Sequence, residues 1–200
     1  MNKFQRRSAI IGTILGDSSL CGKVNKTILT GHSPSQLDYL YHKKALFESF
    51  CSAGTRVKKA DGMDHEFYRL WSTVHHRYTA LHNLIYRDNK KQITKKLLEK
   101  FDEVGLAFLF MDDGCKEALF DKKLQIKVLK SYKFSLNSFT TNEVQLLSDW
   151  LFEKYSIESK VYLDRGKYPY LRISKKVSRD LFRDLIEPYV IDSMKYKLYV

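Results

Sequence analysis

The chain has 200 residues, of which 44% are hydrophobic and 29% charged. That is enough for one domain or two small ones around a sizeable core, and too apolar for a disordered chain. No apolar run approaches the roughly 20 residues of a membrane span, and no secretory leader follows Met1-Asn2-Lys3-Phe4-Gln5-Arg6-Arg7, so an intracellular protein of an organelle matrix or a bacterial or phage-infected cytoplasm is expected. The net charge of +12 calls for a polyanionic partner, and it is concentrated in residues 1–100, with 18 Lys+Arg against 8 Asp+Glu, where residues 101–200 have 17 against 15.

In chain order, Ser8 to Asp17 reads as a helix, followed by strand-like Ser19–Leu20 and Thr27–Thr30 and by a helix over 37–50. Strands at 55–59 and 66–72 flank Asp61-Gly62, a turn signal, and Val74–Tyr86 returns as a helix. In the second half Val104–Met111 reads as a helix, 124–129 and 132–137 as strands, and a capped helix runs from Thr140 or Thr141 to Tyr155. Strands at 158–163 and 168–173 surround Asp164-Arg165-Gly166-Lys167, and Val177–Ile186 closes with a helix before Pro188. Each half therefore reads αββαββα, a repeat of pattern without sequence identity. The fold class is α+β, with boundaries at 1–100 and 101–200.

Two segments at half-chain spacing carry the strongest signal: Ile10-Ile11-Gly12-Thr13-Ile14-Leu15-Gly16-Asp17-Ser18 and Leu106-Ala107-Phe108-Leu109-Phe110-Met111-Asp112-Asp113-Gly114. Each is a helix-like apolar run ending in a carboxylate, an arrangement that costs free energy unless a metal or a hydrogen-bond donor meets the charge. A helix C-terminus also disfavours negative charge. Ser8, Gly12 and Gly16 share one helix face, and Gly105 opens the second helix, as close helix packing requires. Cys21, Cys51 and Cys115 form no CxxC pair, and His75, His76 and His82 lack metal-ligand partners, so neither a disulfide frame nor a zinc site is supported.

The two segments resemble the motif of the LAGLIDADG homing endonucleases, in their single-chain class with two copies, and place Asp17 and Asp113 at its acidic position. Asn89-Lys90-Lys91-Gln92-Ile93, Phe139-Thr140-Thr141-Asn142-Glu143-Val144 and the stretches 186–191 and 194–198 extend the likeness over most of residues 8–198. The first copy departs from the pattern in ending on Ser18 where glycine is usual. The resemblance implies two pseudo-symmetric halves whose curved antiparallel sheets form a DNA-binding saddle, in a monomer that makes a staggered cut in double-stranded DNA.

On that resemblance Asp17 and Asp113 are the expected catalytic acids and metal ligands, with Mg2+ as the ion and Mn2+ as a substitute. Lys91 and Lys197 resemble the family's active-site lysines, one per half. Asp112 is expected to face away from the acidic position and to tune the site or cap the turn. A β-ribbon fits the major groove, and Lys23, Lys26, Arg56, Lys58, Arg69, Lys127, Lys133, Lys160 and Arg172 are candidate DNA contacts, joined by His32, Tyr39, Tyr162, Tyr168 and Tyr170. Met1 and the lack of splicing blocks point to a freestanding or intron-encoded protein. Two alternatives stay open on the sequence: a maturase that binds intron RNA without cutting, and a DNA-binding regulator on a degenerate scaffold.

Overall fold

The computed structural model describes residues 1–60 and 66–200; the expected Asp61-Gly62 turn lies outside them. The first repeat runs α1 (Lys3–Leu15), β1 (Ser19–Cys21), β2 (Thr27–His32), α2 (Leu37–Phe50), β3 (Thr55–Lys59), β4 (Tyr68–Ser72) and α3 (His76–Ile85). A small hairpin, β5 (Tyr86–Arg87) and β6 (Lys90–Lys91), and the short α4 (Lys95–Leu98) lead into the second repeat. This comprises α5 (Glu103–Asp113), β7 (Gly114–Asp121), β8 (Ile126–Ser135), α6 (Thr141–Tyr155), β9 (Lys160–Asp164), β10 (Tyr168–Ile173) and α7 (Lys176–Ile186), followed by 3-10 turns that end at Lys197.

Two antiparallel four-stranded sheets have matching orders, β1-β2-β4-β3 and β7-β8-β10-β9. The αββαββα order therefore holds in both repeats. In the second, residues 124–129 and 132–137 are not separate strands. Residues 126–135 form one long strand, β8, whose partner β7 follows α5 directly and was not expected. The sequence 114–121 hides it because Cys115 and the run Lys116-Glu117 give no alternation, and a register irregularity at Glu117/Ala118 interrupts the pairing.

Helices α1 and α5 form the seam between the sheets. Every residue from Ser8 to Leu15 and from Val104 to Met111 is buried, as befits helices apolar all round. They run parallel: Ser8 Oγ accepts the Asp102 N–H at 2.8 Å, a Cβ on Gly12 would sit 2.1 Å from the Gly105 carbonyl oxygen, and one on Gly16 would sit 2.5 Å from the Asp112 Cβ. Only glycine at 12 and 105 lets the two backbones touch. Helix α1 begins at Lys3, earlier than expected, because Asn2 and Gln5 build a capping box, and it ends at Leu15, two residues before the acid. Phe110 and Phe182 meet Tyr132 and Phe134 at centroid distances of 5.1–5.6 Å, anchoring the seam on the second sheet.

Candidate metal and nucleic-acid site

Because the seam helices run parallel, their C-termini deliver Asp17, Asp112 and Asp113 to one end of the molecule. Three lysines meet them there. Lys91 Nζ donates to the Gly16 carbonyl at 2.8 Å, and Lys197 Nζ donates to the Met111 and Asp112 carbonyls at 2.6 and 3.2 Å. Each lysine thus caps the C-terminus of one motif helix, where orphan carbonyls and the helix dipole favour a cation. The β5–β6 hairpin carries Lys91 into place around Asp88 and Asn89, both in the left-handed region at φ 49° and 58°, a two-residue turn suited to these residue types. The final 3-10 turn does the same for Lys197.

The third lysine was not foreseen. Lys43 on α2 is fully buried, with Nζ 2.7 Å from Asp112 Oδ1, 3.0 Å from His32 Nε2 and 3.4 Å from Thr30 Oγ1, and it lies over the Tyr39 ring. Its signal in the sequence is weak, since Lys43-Lys44 in an otherwise ordinary helix reads as solvated charge. His32, expected among the DNA contacts, is instead buried beneath Asp17, and Tyr39 is buried with its hydroxyl donating to the Phe108 carbonyl. An ammonium can only donate, so His32 Nε2 accepts from Lys43 and Nδ1–H points to Gln36 Oε1 at 3.0 Å and, at 4.0 Å, to Asp17 Oδ2. Burial and Lys43 push the imidazole pKa down to about 4, so His32 is neutral at physiological pH.

Asp17, His32 and Asp112 offer donor atoms within 4.8 Å of one another, close enough for a cation. The ligand set nevertheless divides. Both His32 nitrogens have partners, and both Asp112 oxygens are engaged, Oδ1 by Lys43 and Oδ2 by the Asp17 N–H at 3.1 Å. Asp112 therefore does not face away from the first motif; it braces the Asp17 turn, as a cap would. The carboxylates of Asp17 and Asp113 accept no hydrogen bond among the described residues. Burial, then Asp17 and Asp112, push the Asp113 pKa up to about 7; burial and Asp112 push Asp17 up as well. Burial also pulls the Lys91 and Lys197 pKa values down, against the pull of the acids. Two unsatisfied, charge-crowded carboxylates are what a hard divalent cation stabilises.

The outer faces of the sheets adjoin these acids. Lys58 is paired in register with Arg69, and Arg56 lies two residues along the same face, with Leu70 beneath in the core. Arg69 and Asp17 line one depression of about 130 Å³. On the second sheet Lys133 and Lys160 both pair with Arg172 in register, Lys133 lies 4.2 Å over the Tyr170 ring, and Tyr162 stacks on Tyr170. Tyr168 is exposed on the same strand, while Lys127 and Lys23 are exposed on β8 and in the β1–β2 turn. Arg172 pairs with Glu117 at 2.9 Å, and the Lys26 ammonium donates to the Gly22 carbonyl.

The family model described as the LAGLIDADG DNA endonuclease family matches residues 7–181. The chain belongs to this family. A probable intron-encoded endonuclease of Wickerhamomyces canadensis is 29% identical over 204 residues, covering 99% of this chain and 85% of the relative. The cytochrome b mRNA maturase bI2 of Saccharomyces cerevisiae is 26% identical over 208 residues, covering 96% of this chain but only 46% of the maturase, so the chain spans under half the length of that relative. Among solved structures, the homing endonuclease I-WcaI bound to its DNA recognition sequence superposes with a TM-score of 0.81 at 25% identity, covering 99% of this chain and 87% of that one. The two-repeat architecture with paired four-stranded antiparallel sheets is thus the family's homing-endonuclease fold.

Proposed function

We propose that this LAGLIDADG chain is a site-specific DNA endonuclease that hydrolyses one phosphodiester bond on each strand of a long duplex target with the help of divalent metal, Mg2+ or in its place Mn2+. The observation that carries the reading is the division among the three carboxylates: Asp112 is consumed by Lys43 and the Asp17 N–H, while Asp17 and Asp113, one per motif, keep their oxygens free at the end of the seam. Asp17 and Asp113 would hold a divalent ion, which would supply Lewis acidity and lower the pKa of a bound water. Lys91 and Lys197, fixed on the helix-terminal carbonyls, present positive charge where the phosphate gains negative charge in the transition state. Arg56, Lys58, Arg69, Lys127, Lys133 and Lys160, together with Lys23, place the duplex across the two sheets, and the paired Arg172 and Lys26 contribute to the rigidity of those strands. Residues 1–100 and 101–200 serve one half-site each, within a monomer.

The test is a target selected from a randomised duplex library, incubated with Mg2+, Mn2+ or Ca2+. Both strands should be cut in Mg2+ and in Mn2+, and Asp17→Asn and Asp113→Asn should each abolish cutting while retaining binding in Ca2+. Binding without cleavage in every metal would replace the nuclease by a DNA-binding regulator.

A further inference from the structure

The long β7–β8 hairpin carries an apolar patch that phosphodiester hydrolysis does not use. Strand register fixes which way its residues face. Glu117, opposite Ser131, lies on the outer face, where it pairs with Arg172; Ala118, opposite Leu129, lies on the inner face, where Leu129 packs against the core. Leu119 opposite Val128, and Asp121 opposite Ile126, therefore return to the outer face. Leu119 is 62% exposed and Ile126 53%, with Val128 half-buried. The acid on this face, Asp121, is turned into the hairpin: its Oδ1 accepts the Lys123 and Leu124 N–H groups at 2.9 and 3.2 Å, and Gln125 Nε2 donates to the Lys122 carbonyl at 2.8 Å. The turn is thus preformed, with Lys122 and Lys123 exposed at its tip.

Apolar side chains flanked by lysines suit a surface that is apolar in patches and anionic at its margins. The major groove is such a surface, because the C5-methyl of thymine stands among the base edges between two rows of phosphates. A second copy of the chain would have to pair along the edge strand β7, and the irregularity at Glu117/Ala118 breaks the regular row of backbone groups that such pairing needs. Strand β7 begins directly after Asp113. At about 3.3 Å per residue, Leu119 lies about 20 Å and Asp121, with Ile126 opposite, about 26 Å along it, or about six and eight base pairs of B-DNA from the bond that Asp113 serves. We propose that Leu119, Val128 and Ile126 read thymine methyl groups in the major groove, so that the half-site held by residues 101–200 carries thymine, on one strand or the other, about six to eight base pairs from its cut. The proposal rests on the duplex lying across the sheets, and it adds an apolar reading to the charged contacts already described.

The experiment takes the duplex selected from the randomised library and replaces each thymine in that segment by uracil, which removes the methyl and leaves the pairing edge intact. Binding is measured in Ca2+. Each replacement at a contacted position should weaken binding about fourfold, the worth of one buried methyl-sized group. Where selection leaves a cytosine in the segment, 5-methylcytosine should bind more tightly than cytosine. Leu119→Ala/Ile126→Ala should bind the thymine and uracil duplexes alike, with melting temperature unchanged because both side chains are exposed. A selected duplex that is bound and cut but shows no loss with uracil would overturn this inference and leave the endonuclease reading standing, as would discrimination that survives in the double variant. Dimerisation in sedimentation velocity that the double variant abolishes would also overturn it, by giving the patch to a second copy. A library that yields no bound duplex would overturn both readings.

Discussion

Asp113 offers the sharpest test of the crowded acid site, because its pKa should make stability depend on pH in the opposite sense to an ordinary paired carboxylate. Its ordinary value of 3.8 is raised to about 7 in the fold. Below pH 3.8 the group is protonated folded and unfolded, and contributes nothing. Between about 4 and 7 the folded protein keeps the proton that the unfolded chain has released, so stability falls as pH rises, and above 7 the loss is complete. The shift of roughly three units corresponds to about 4 kcal/mol at 1.36 kcal/mol per unit. Sharing among the coupled acids and lysines and partial exposure reduce this to about 2 kcal/mol. Asp113→Asn mimics the protonated acid, so in EDTA it should melt about 4–8 °C above wild type at pH 8, given 2–4 °C per kcal/mol for a chain of this size, and exceed it by only about a third as much at pH 5, where the loss has just begun. Adding Mn2+ at pH 8 should stabilise wild type and not the variant. Equal melting at both pH values, or a gain of the same size at both, would refute the assignment of Asp113 as a desolvated, metal-ready carboxylate.

Other substitutions probe the parts of the molecule that create this crowding. Gly12→Ala places a methyl 2.1 Å from the Gly105 carbonyl oxygen, and since neither backbone can give way without parting the seam it should lower stability by about 3 kcal/mol in urea unfolding; Gly54→Ala, whose Cβ would meet only Thr73 Cγ2 at 3.7 Å, should be near neutral. Lys43→Met leaves the fully buried Asp112 carboxylate unpaired and should cost about 3–5 kcal/mol, most of which returns in Lys43→Met/Asp112→Asn, because the amide still accepts the Asp17 N–H without a charge. Lys91→Met and Lys197→Met should each slow cutting of one strand by about 10²-fold more than the other, so that nicked duplex accumulates on gels of separately end-labelled strands; equal slowing of both strands would separate these lysines from the individual scissile phosphates.

What could be read from the sequence was whatever depended on local pattern or on spacing. Helices of the right length, such as α2 and the capped α6, follow from periodicity, and two apolar runs ending in acid at half-chain spacing identify the seam. Strand β7 was invisible because its residues serve a sheet bent by an irregularity, where the two-residue period does not hold over its length. The chemistry of the site was half legible. Asp17 and Asp113 announce themselves as charges at the wrong end of a helix, and Asn89-Lys90-Lys91 as a connector. What separates Asp113 from its neighbour Asp112 is tertiary: one carboxylate turns toward a lysine 69 residues earlier in the chain, and its neighbour does not. That lysine has no local reason to be buried. It is stable there because Asp112, His32, Thr30 and the Tyr39 ring together replace water around its ammonium, and those groups come from β2, α2 and the far repeat. The buried pair also explains how three acids tolerate one another without metal. Asp112 is paired in place by Lys43, whereas Asp17 and Asp113, raised first by burial and then by neighbouring carboxylates, are the two acids that a divalent ion would relieve.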